Sequence, residues 1–113
     1  HRSIRRQRQM CIRDSHNITC KAGVHAFAKA LALELGPSGI TANTVSPGAI
    51  ATTRDWSQYD DPEVWRKARI EAIPVKRIGT VDDIANACLY LAGETGGFIT
   101  GEVLHLNGGQ FRF

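Results

Sequence analysis

The sequence predicts an α/β fold, because helical segments alternate with short β-branched segments along its 113 residues. The predicted helices cover residues 20–35, 61–73 and 80–91, and the predicted strands cover residues 40–46 and 103–106. This length allows one small domain at most. Two strands are too few to cover three helices, so we expect the chain to be part of a larger domain.

The first predicted helix reads CKAGVHAFAKALALEL over residues 20–35, with helix-compatible side chains and no proline. Gly36-Pro37 predicts its end. Its apolar side chains lie almost all round the helix, which is typical of a helix that is buried on more than one face. We expect one face to cover a sheet (Val24, Phe27, Leu31 and Leu35) and the other to meet a second helix or another subunit (Ala26, Ala30 and Leu33).

Local signals delimit the other elements. Residues 40–46 are short, β-branched and followed by Pro47-Gly48, which predicts a strand and a turn. Asp61 before a proline predicts the N-cap of the second helix. Thr80, with Asp83 three residues later, predicts a capping box at the start of the third. The last strand, residues 103–106, ends at a glycine pair.

The net charge of +3 comes entirely from the first fifteen residues. Five arginines and one aspartate give that segment +4, so residues 16–113 carry −1, which does not favour a nucleic-acid or anionic membrane partner. No apolar run approaches the roughly 20 residues of a membrane span. The three cysteines, Cys11, Cys20 and Cys88, lack paired spacing, which favours a cytoplasmic protein over a disulfide scaffold or a zinc site.

Residues 5–15 can be interpreted as a translated sequencing adapter or as a basic arm. The codons of a transposon-end adapter used in sequencing libraries translate as Arg-Arg-Gln-Arg-Gln-Met-Cys-Ile-Arg-Asp, followed by Ser or Arg, which agrees with this segment. We therefore expect residues 1–15 to be an adapter-like assembly artefact, and such segments are excluded from fold reasoning. The alternative is a disordered basic arm. In either case the domain is residues 16–113, and we expect its earlier part to be missing.

The remaining motifs form an ordered series. They are Lys21-Ala22-Gly23, Asn43-x-Val45-x-Pro47-Gly48, Asp82-Asp83-Ile84-Ala85, Gly101 and Gly108-Gly109. The series closely resembles the C-terminal part of the short-chain dehydrogenase/reductases, and within them the 3-oxoacyl-(acyl-carrier-protein) reductase and small alcohol or sugar dehydrogenase group. The resemblance covers residues 18–113. It implies the C-terminal part of a Rossmann-type doubly wound parallel sheet with flanking helices, and NAD(P)-dependent chemistry.

The resemblance implies roles for five residues. In the family a lysine follows the catalytic tyrosine by one helical turn, lowers the pKa of that tyrosine and binds the nicotinamide ribose. Lys21 occupies this position and is the predicted catalytic residue. Pro47, Gly48, Ile50 and Thr52 follow a strand's C-terminal end, where open α/β sheets bind ligands. By resemblance, the main chain near Ile50 meets the nicotinamide carboxamide and the Thr52 hydroxyl faces the cofactor's phosphates.

Other family features do not match this sequence. Asn17 stands where the family has its tyrosine, and an amide cannot donate a proton near neutral pH. His16 is adjacent to Asn17, but in a helix it is rotated about 100° from that position. The family's serine position falls on Ile4. The pyrophosphate-binding part precedes this region in the family, so the resemblance implies NAD or NADP without deciding between them.

The aromatic residues Trp56, Tyr59 and Trp65 lie in or beside a segment that is a mobile lid in the family. For Trp65, packing of the lid helix against the core is the preferred interpretation over substrate contact. His25 and His105 have no partner at ligand spacing, so no metal site is predicted.

Two functions remain open. The first is a fragment of an NAD(P)-dependent oxidoreductase that interconverts a carbonyl and a secondary alcohol of a small molecule. We expect the fragment to be inactive by itself and the parent enzyme to be a homotetramer. The alternative is a naturally short, non-catalytic oligomerisation module on the same half-fold. The DNA upstream of codon 16 distinguishes them, because only the first predicts an open frame that encodes a glycine-rich loop and a catalytic serine.

Overall fold

The computed structural model describes residues 2–52 and 61–110, with the backbone alone for residues 2–14. Within these ranges the helices are α1 (Arg2–Leu35), α2 (Pro62–Ala72) and α3 (Val81–Ala92), and the strands are β1 (Thr44–Pro47) and β2 (Val103–Leu106). Short 3-10 turns follow α1 and α3, at Gly36–Ser38 and Glu94–Gly96. The alternation of helices and strands confirms the predicted α/β class.

The end of α1 agrees with the sequence, and its start does not. The helix ends at Leu35, directly before Gly36-Pro37. Its predicted start was Cys20, whereas the structure begins it at Arg2, so that boundary was wrong. Residues 2–20 contain neither glycine nor proline and are rich in arginine and glutamine, which favour helix. A helix that is already nucleated extends easily through such residues.

The two strands form a parallel pair. The Thr44 N–H donates to the Glu102 carbonyl (2.9 Å), and the Gly48 N–H donates to the Leu106 carbonyl (3.0 Å). The acceptor advances along its strand by the same step as the donor, which is the pattern of parallel strands. β2 has its predicted bounds.

β1 begins later than predicted, because the residues before it bond differently. The Ala42 N–H donates to the Thr100 hydroxyl (3.0 Å), and the Glu102 N–H donates to the Asn43 side chain (3.1 Å). Side-chain acceptors of this kind compete with the regular ladder. The predicted strand over residues 40–46 is therefore Thr44–Pro47 in the structure.

The chain divides into two compact units. The first comprises residues 1–44 and 100–102, and the second comprises residues 45–99 and 103–113. Among the described residues, the buried hydrophobic side chains are Ala32 in the first unit and Ile73 in the second. No helix of the described ranges combines the length and the apolar character needed to cross a membrane.

The apolar surface of α1 is largely exposed in the single chain. Its most buried stripe follows helical spacing through His25, Ala28, Ala32 and Leu35. Val24 and Phe27, which were predicted to face a sheet, are 57% and 63% exposed in the single chain, so that assignment stays a prediction. The stripe contains small side chains that other backbone can approach closely. Leu33, predicted for the partner face, is 82% exposed.

The predicted caps of α2 and α3 are confirmed. The Asp61 carboxylate accepts from the N–H groups of Glu63 (3.1 Å) and Val64 (3.2 Å). The Thr80 hydroxyl accepts from the Asp83 N–H (3.2 Å), while the Asp83 carboxylate accepts from the Thr80 N–H (2.7 Å). These reciprocal bonds satisfy backbone donors that have no partner inside the helix.

Candidate functional site

The loop that follows β1 is fixed by pairing with the segment before α3. Ile50 and Gly79 form a parallel bridge. The Ala51 N–H donates to the Gly79 carbonyl (2.8 Å), and the Gly79 N–H donates to the Ala49 carbonyl (2.9 Å). The polar backbone groups of neighbouring residues in extended chain point to opposite sides. Those of Ile50 therefore point away from Gly79, and they make no backbone hydrogen bond within the described residues.

Two glycines allow this arrangement by close approach. A Cβ atom on Gly48 would lie 2.7 Å from the Cα of Asn107, and one on Gly79 would lie 2.6 Å from the Cδ1 of Ile50. Side chains at either position would force the neighbouring segments apart. The sequence suggested that Gly48 makes room for a ligand, and the structure gives it a neighbour within the chain as well.

An ion pair holds the segment that carries Gly79. The Arg77 guanidinium donates two hydrogen bonds to the Asp83 carboxylate, at 2.7 and 3.0 Å. Together with the Thr80 backbone N–H, this guanidinium holds the pKa of Asp83 well below its usual range. The same contact raises the pKa of Arg77. The sequence identified Asp83 as a helix cap but did not predict its pairing with Arg77.

A cleft of about 480 Å³ lies between this loop and α2. Three of the four residues predicted from the loop line it, namely Gly48, Ile50 and Thr52, whereas Pro47 does not. The remaining lining residues are Ala49, Ala51, Pro62, Glu63, Trp65, Arg66, Arg69 and Ile78. A cleft with a few polar groups on mostly apolar walls is typical of a small-molecule site.

The α2 wall of the cleft carries residues that the sequence did not single out. The Arg69 guanidinium lies over the Trp65 ring, 5.1 Å from its centroid. The Nε atom of Arg69 is buried and has no hydrogen-bond partner among the described residues. Trp65 was predicted to pack the lid helix to the core, and the structure places it in the cleft wall, partly exposed. In the sequence, the one signal for this contact was the one-turn spacing of Trp65 and Arg69.

The predicted catalytic lysine lies on α1, in the first compact unit. Lys21 and Asn17 stand one helical turn apart, and both side chains are exposed. Ile4, at the family's serine position, lies in the helical backbone of α1. Trp56 and Tyr59 lie outside the described residues.

No group of three or more His, Cys, Asp or Glu side chains in the described ranges could hold a metal ion. Cys20 and Cys88 are free and exposed.

Comparison with known proteins decides the family. A family model described as enoyl-(acyl carrier protein) reductase matches residues 3–110. The chain belongs to the short-chain dehydrogenase/reductase family. This confirms the resemblance drawn from the motifs. The matched range includes most of residues 1–15, so the origin of that segment remains a prediction for DNA sequencing to test.

Two relatives show which members of the short-chain dehydrogenase/reductases are similar to this chain. It is 43% identical to the 3-oxoacyl-(acyl-carrier-protein) reductase FabG of Buchnera aphidicola, over 80% of this chain and 36% of the relative. It is 47% identical to the acetoacetyl-CoA reductase of Cupriavidus necator, again over 80% of this chain and 36% of the relative. The chain therefore spans little more than a third of these relatives' length.

A solved structure confirms the fold class. The chain matches YwfH, an NADPH-dependent reductase involved in bacilysin biosynthesis, with a TM-score of 0.73 and 29% identity. The match covers 81% of this chain and 38% of that protein. The fold is therefore part of a Rossmann-type α/β domain of the short-chain dehydrogenase/reductases.

Proposed function

We propose that this chain is the C-terminal portion of an NAD(P)-dependent oxidoreductase that interconverts a carbonyl and a secondary alcohol. The observation that carries the proposal is the loop after β1, in which Ile50 turns its N–H and C=O away from Gly79 at the edge of a cleft. We call the protein encoded by the complete reading frame that contains residues 16–113 the parent protein, and the proposal concerns its activity.

The loop suits the nicotinamide end of NAD or NADP. A carboxamide has a donor and an acceptor, and extended backbone at Ile50 offers the complementary pair. The Ile50–Gly79 bridge fixes that pair before a ligand arrives, which lowers the entropic cost of binding. The Thr52 hydroxyl, on the same wall of the cleft, would hydrogen-bond a cofactor phosphate. When bound, the cofactor supplies or accepts the hydride.

Lys21 and Asn17 determine how this chain would handle the proton. The Lys21 ammonium would orient the nicotinamide ribose, as the family resemblance implies. Asn17 has no acidic proton, so it would hold a carbonyl oxygen by a hydrogen bond without protonating it. The parent protein would therefore turn over slowly. We propose that the 113-residue chain, in which the family's glycine-rich loop and serine are not matched either, is inactive by itself.

The substrate class follows from the relatives. Two of them are named for 3-oxoacyl and acetoacetyl thioesters, which share a ketone two carbons from the thioester carbonyl. We propose a 3-oxoacyl thioester as substrate, and small alcohols or sugars as the second candidate class. The expected location of the protein is the cytoplasm, without a nucleic-acid or membrane partner.

The test is NADPH and NADH oxidation by the parent protein with acetoacetyl thioesters, in comparison with Lys21→Ala. We expect activity that is lost in the variant, and a preference for one of the two cofactors. The 113-residue chain should show no turnover above its own Lys21→Ala control. A parent protein that binds neither cofactor would refute the proposal.

The alternative, a short oligomerisation module, is distinguished by the DNA upstream of codon 16. An open frame in independent reads that encodes a glycine-rich loop and a serine supports the enzyme, and a start codon near position 16 supports the module. Reads that lack the adapter codons would establish that residues 1–15 are an artefact.

We also propose that the parent protein is a homotetramer that uses the exposed face of α1. Ala26, Ala30 and Leu33 are exposed in the single chain, and a two-fold axis would let one patch serve both subunits. Sizing with light scattering should give four times the subunit mass, and Ala30→Glu should reduce it. A monomeric parent protein would reject this interface.

A further inference from the structure

The α2 wall of the cleft is basic. Arg66 and Arg69 lie three residues apart on α2, which places them on one face of the helix. Glu63 is the acidic side chain among the described lining residues. Two guanidinium groups and one carboxylate give the wall a net positive charge, beside a cleft of about 480 Å³.

Arg69 is supported by an aromatic ring, and the described residues give its Nε atom no acceptor. Its guanidinium stacks on the Trp65 ring at 5.1 Å, and its Nε atom is buried without a hydrogen-bond partner among the described residues. A buried donor without an acceptor is destabilising and therefore needs an explanation. Stacking restricts the guanidinium plane, and because Arg69 lines the cleft, a ligand there would meet its terminal nitrogens. The two terminal nitrogens of a guanidinium match two oxygens of a phosphate.

Two other basic side chains of the second unit have carboxylate partners. Arg77 pairs with Asp83 at 2.7 Å, and Lys76 pairs with Glu71 at 3.3 Å. Within the described residues, Arg69 has an aromatic support in place of a carboxylate. Trp65 positions this cation, and the cleft supplies the space for an anion.

We propose that Arg69, assisted by Arg66, binds a phosphate group of a ligand in this cleft. The inference rests on the proposed function, under which two phosphates are available. One is the pantetheine phosphate of a 3-oxoacyl thioester, and the other belongs to the NAD(P) cofactor. Arg69 is then a specificity-determining residue, because a substrate without the phosphate loses a charge-assisted hydrogen bond.

The decisive kinetic experiment compares two substrates in the parent protein, acetoacetyl-4′-phosphopantetheine and acetoacetyl-pantetheine, which differ by the phosphate alone. The variants are Arg69→Gln and Lys67→Gln. Lys67 is an exposed residue of α2 that does not line the cleft, so its loss is a matched change of charge. The Arg69→Lys variant keeps the charge without the planar edge, and it should bind the phosphorylated substrate with intermediate affinity.

We expect Arg69→Gln to raise KM for the phosphorylated substrate roughly ten- to a hundredfold, with KM for acetoacetyl-pantetheine unchanged. If KM for the cofactor rises by that factor instead, Arg69 still binds a phosphate, and its source is the cofactor. The proposal would be overturned if KM for the phosphorylated substrate and KM for the cofactor were both unchanged, or if Lys67→Gln had an equal effect. Near-ultraviolet circular dichroism confirms that each variant is folded.

Calorimetry separates this inference from the proposed function. Titration of the parent protein with 4′-phosphopantetheine and with pantetheine measures phosphate recognition without turnover. Phosphate-dependent binding that Arg69→Gln abolishes supports the inference even if no reductase activity is found. A reductase that binds both compounds equally, and whose cofactor affinity does not depend on Arg69, refutes the inference and leaves the proposed function intact.

Discussion

We propose that Asn17 limits proton transfer in this chain. It lies one turn before Lys21 on α1, at the position that the resemblance implies for the family's general acid, and its amide has no proton to give near neutral pH. Both side chains are exposed, so a larger side chain at position 17 meets no obstacle in the described structure. The position is therefore open to a direct test by substitution.

We expect Asn17→Tyr to raise kcat for carbonyl reduction by the parent protein roughly 10²- to 10⁴-fold, because it restores a general acid beside Lys21. The measurement is NADPH oxidation under saturating acetoacetyl thioester. Asn17→Phe adds a similar ring without the hydroxyl and should give no gain. Equal rates for Tyr and Phe would mean that another group protonates the carbonyl oxygen.

We expect the carboxylate of Asp83 to make stability depend on pH. Its pKa is lowered by the Arg77 guanidinium and by the Thr80 backbone N–H. The ionised carboxylate is therefore more stable in the folded protein than in the unfolded chain. A carboxylate with a lowered pKa contributes stability above its unfolded value, about 3.9, and this contribution is lost as the pH falls below it.

We therefore expect Tm of the parent protein to fall between pH 5 and roughly pH 2, and Asp83→Asn to fall less steeply over that range. Asp82→Asn is the matched control, since Asp82 is the adjacent exposed acid of α3 and has no part in the ion pair. Calorimetric melts at half-unit steps give the slopes. Parallel curves for the wild type and Asp83→Asn would contradict the proposed linkage.

At the scale of elements, the loop after β1 and the start of α3 behave as one assembly. The Ile50–Gly79 bridge joins them, and Thr80 and Asp83 cap the helix directly after the bridge. The backbone at Ile50 is thus held by the same segment that begins α3. A substitution of Gly79 should therefore weaken binding of the proposed cofactor.

We expect Gly79→Ala to cost about 1–3 kcal/mol of unfolding free energy and to raise KM for the cofactor, because its Cβ would lie 2.6 Å from Ile50 Cδ1. Denaturant melts and cofactor titrations of the parent protein measure both effects. Gly36→Ala is the control, since nothing lies within 4 Å of a Cβ at that position. An unchanged KM with reduced stability would show that the loop tolerates the shift.

At the scale of the whole molecule, the described chain buries little apolar surface. Ala32 and Ile73 are its buried hydrophobic residues, whereas Phe27, Leu33 and Phe98 are 63%, 82% and 103% exposed. Burial of such a side chain stabilises a protein by roughly 1.5–3 kcal/mol, against a total stability of about 5–15 kcal/mol for a domain. The missing burial is therefore comparable with the stability itself.

We expect the isolated 113-residue chain to aggregate or to behave as a molten state. It should bind a hydrophobic dye, lack near-ultraviolet circular dichroism and melt without a sharp transition. The parent protein, measured alongside, should show the opposite in all three. A monodisperse chain with a cooperative melt would indicate that this half-fold is self-sufficient or pairs with itself.

Features that depend on neighbouring residues could be predicted from the sequence. The end of α1 at Gly36-Pro37, the cap at Asp61 and the capping box at Thr80 are formed by groups a few residues apart, so their chemistry can be read locally. The family was also predicted from the order of its motifs. The start of α1 was not, because nothing in residues 2–20 marks a boundary.

Features that depend on the path of the chain emerge only in the folded protein. The pairing of Ile50 with Gly79, the fit of Gly48 against Asn107 and the exposure of Phe27 follow from segments that are distant in sequence. The position of Arg69 in the cleft wall depends on how α2 packs beside the loop. Local signals cannot encode these contacts, because each is set by the packing of elements against one another and not by the residues on either side.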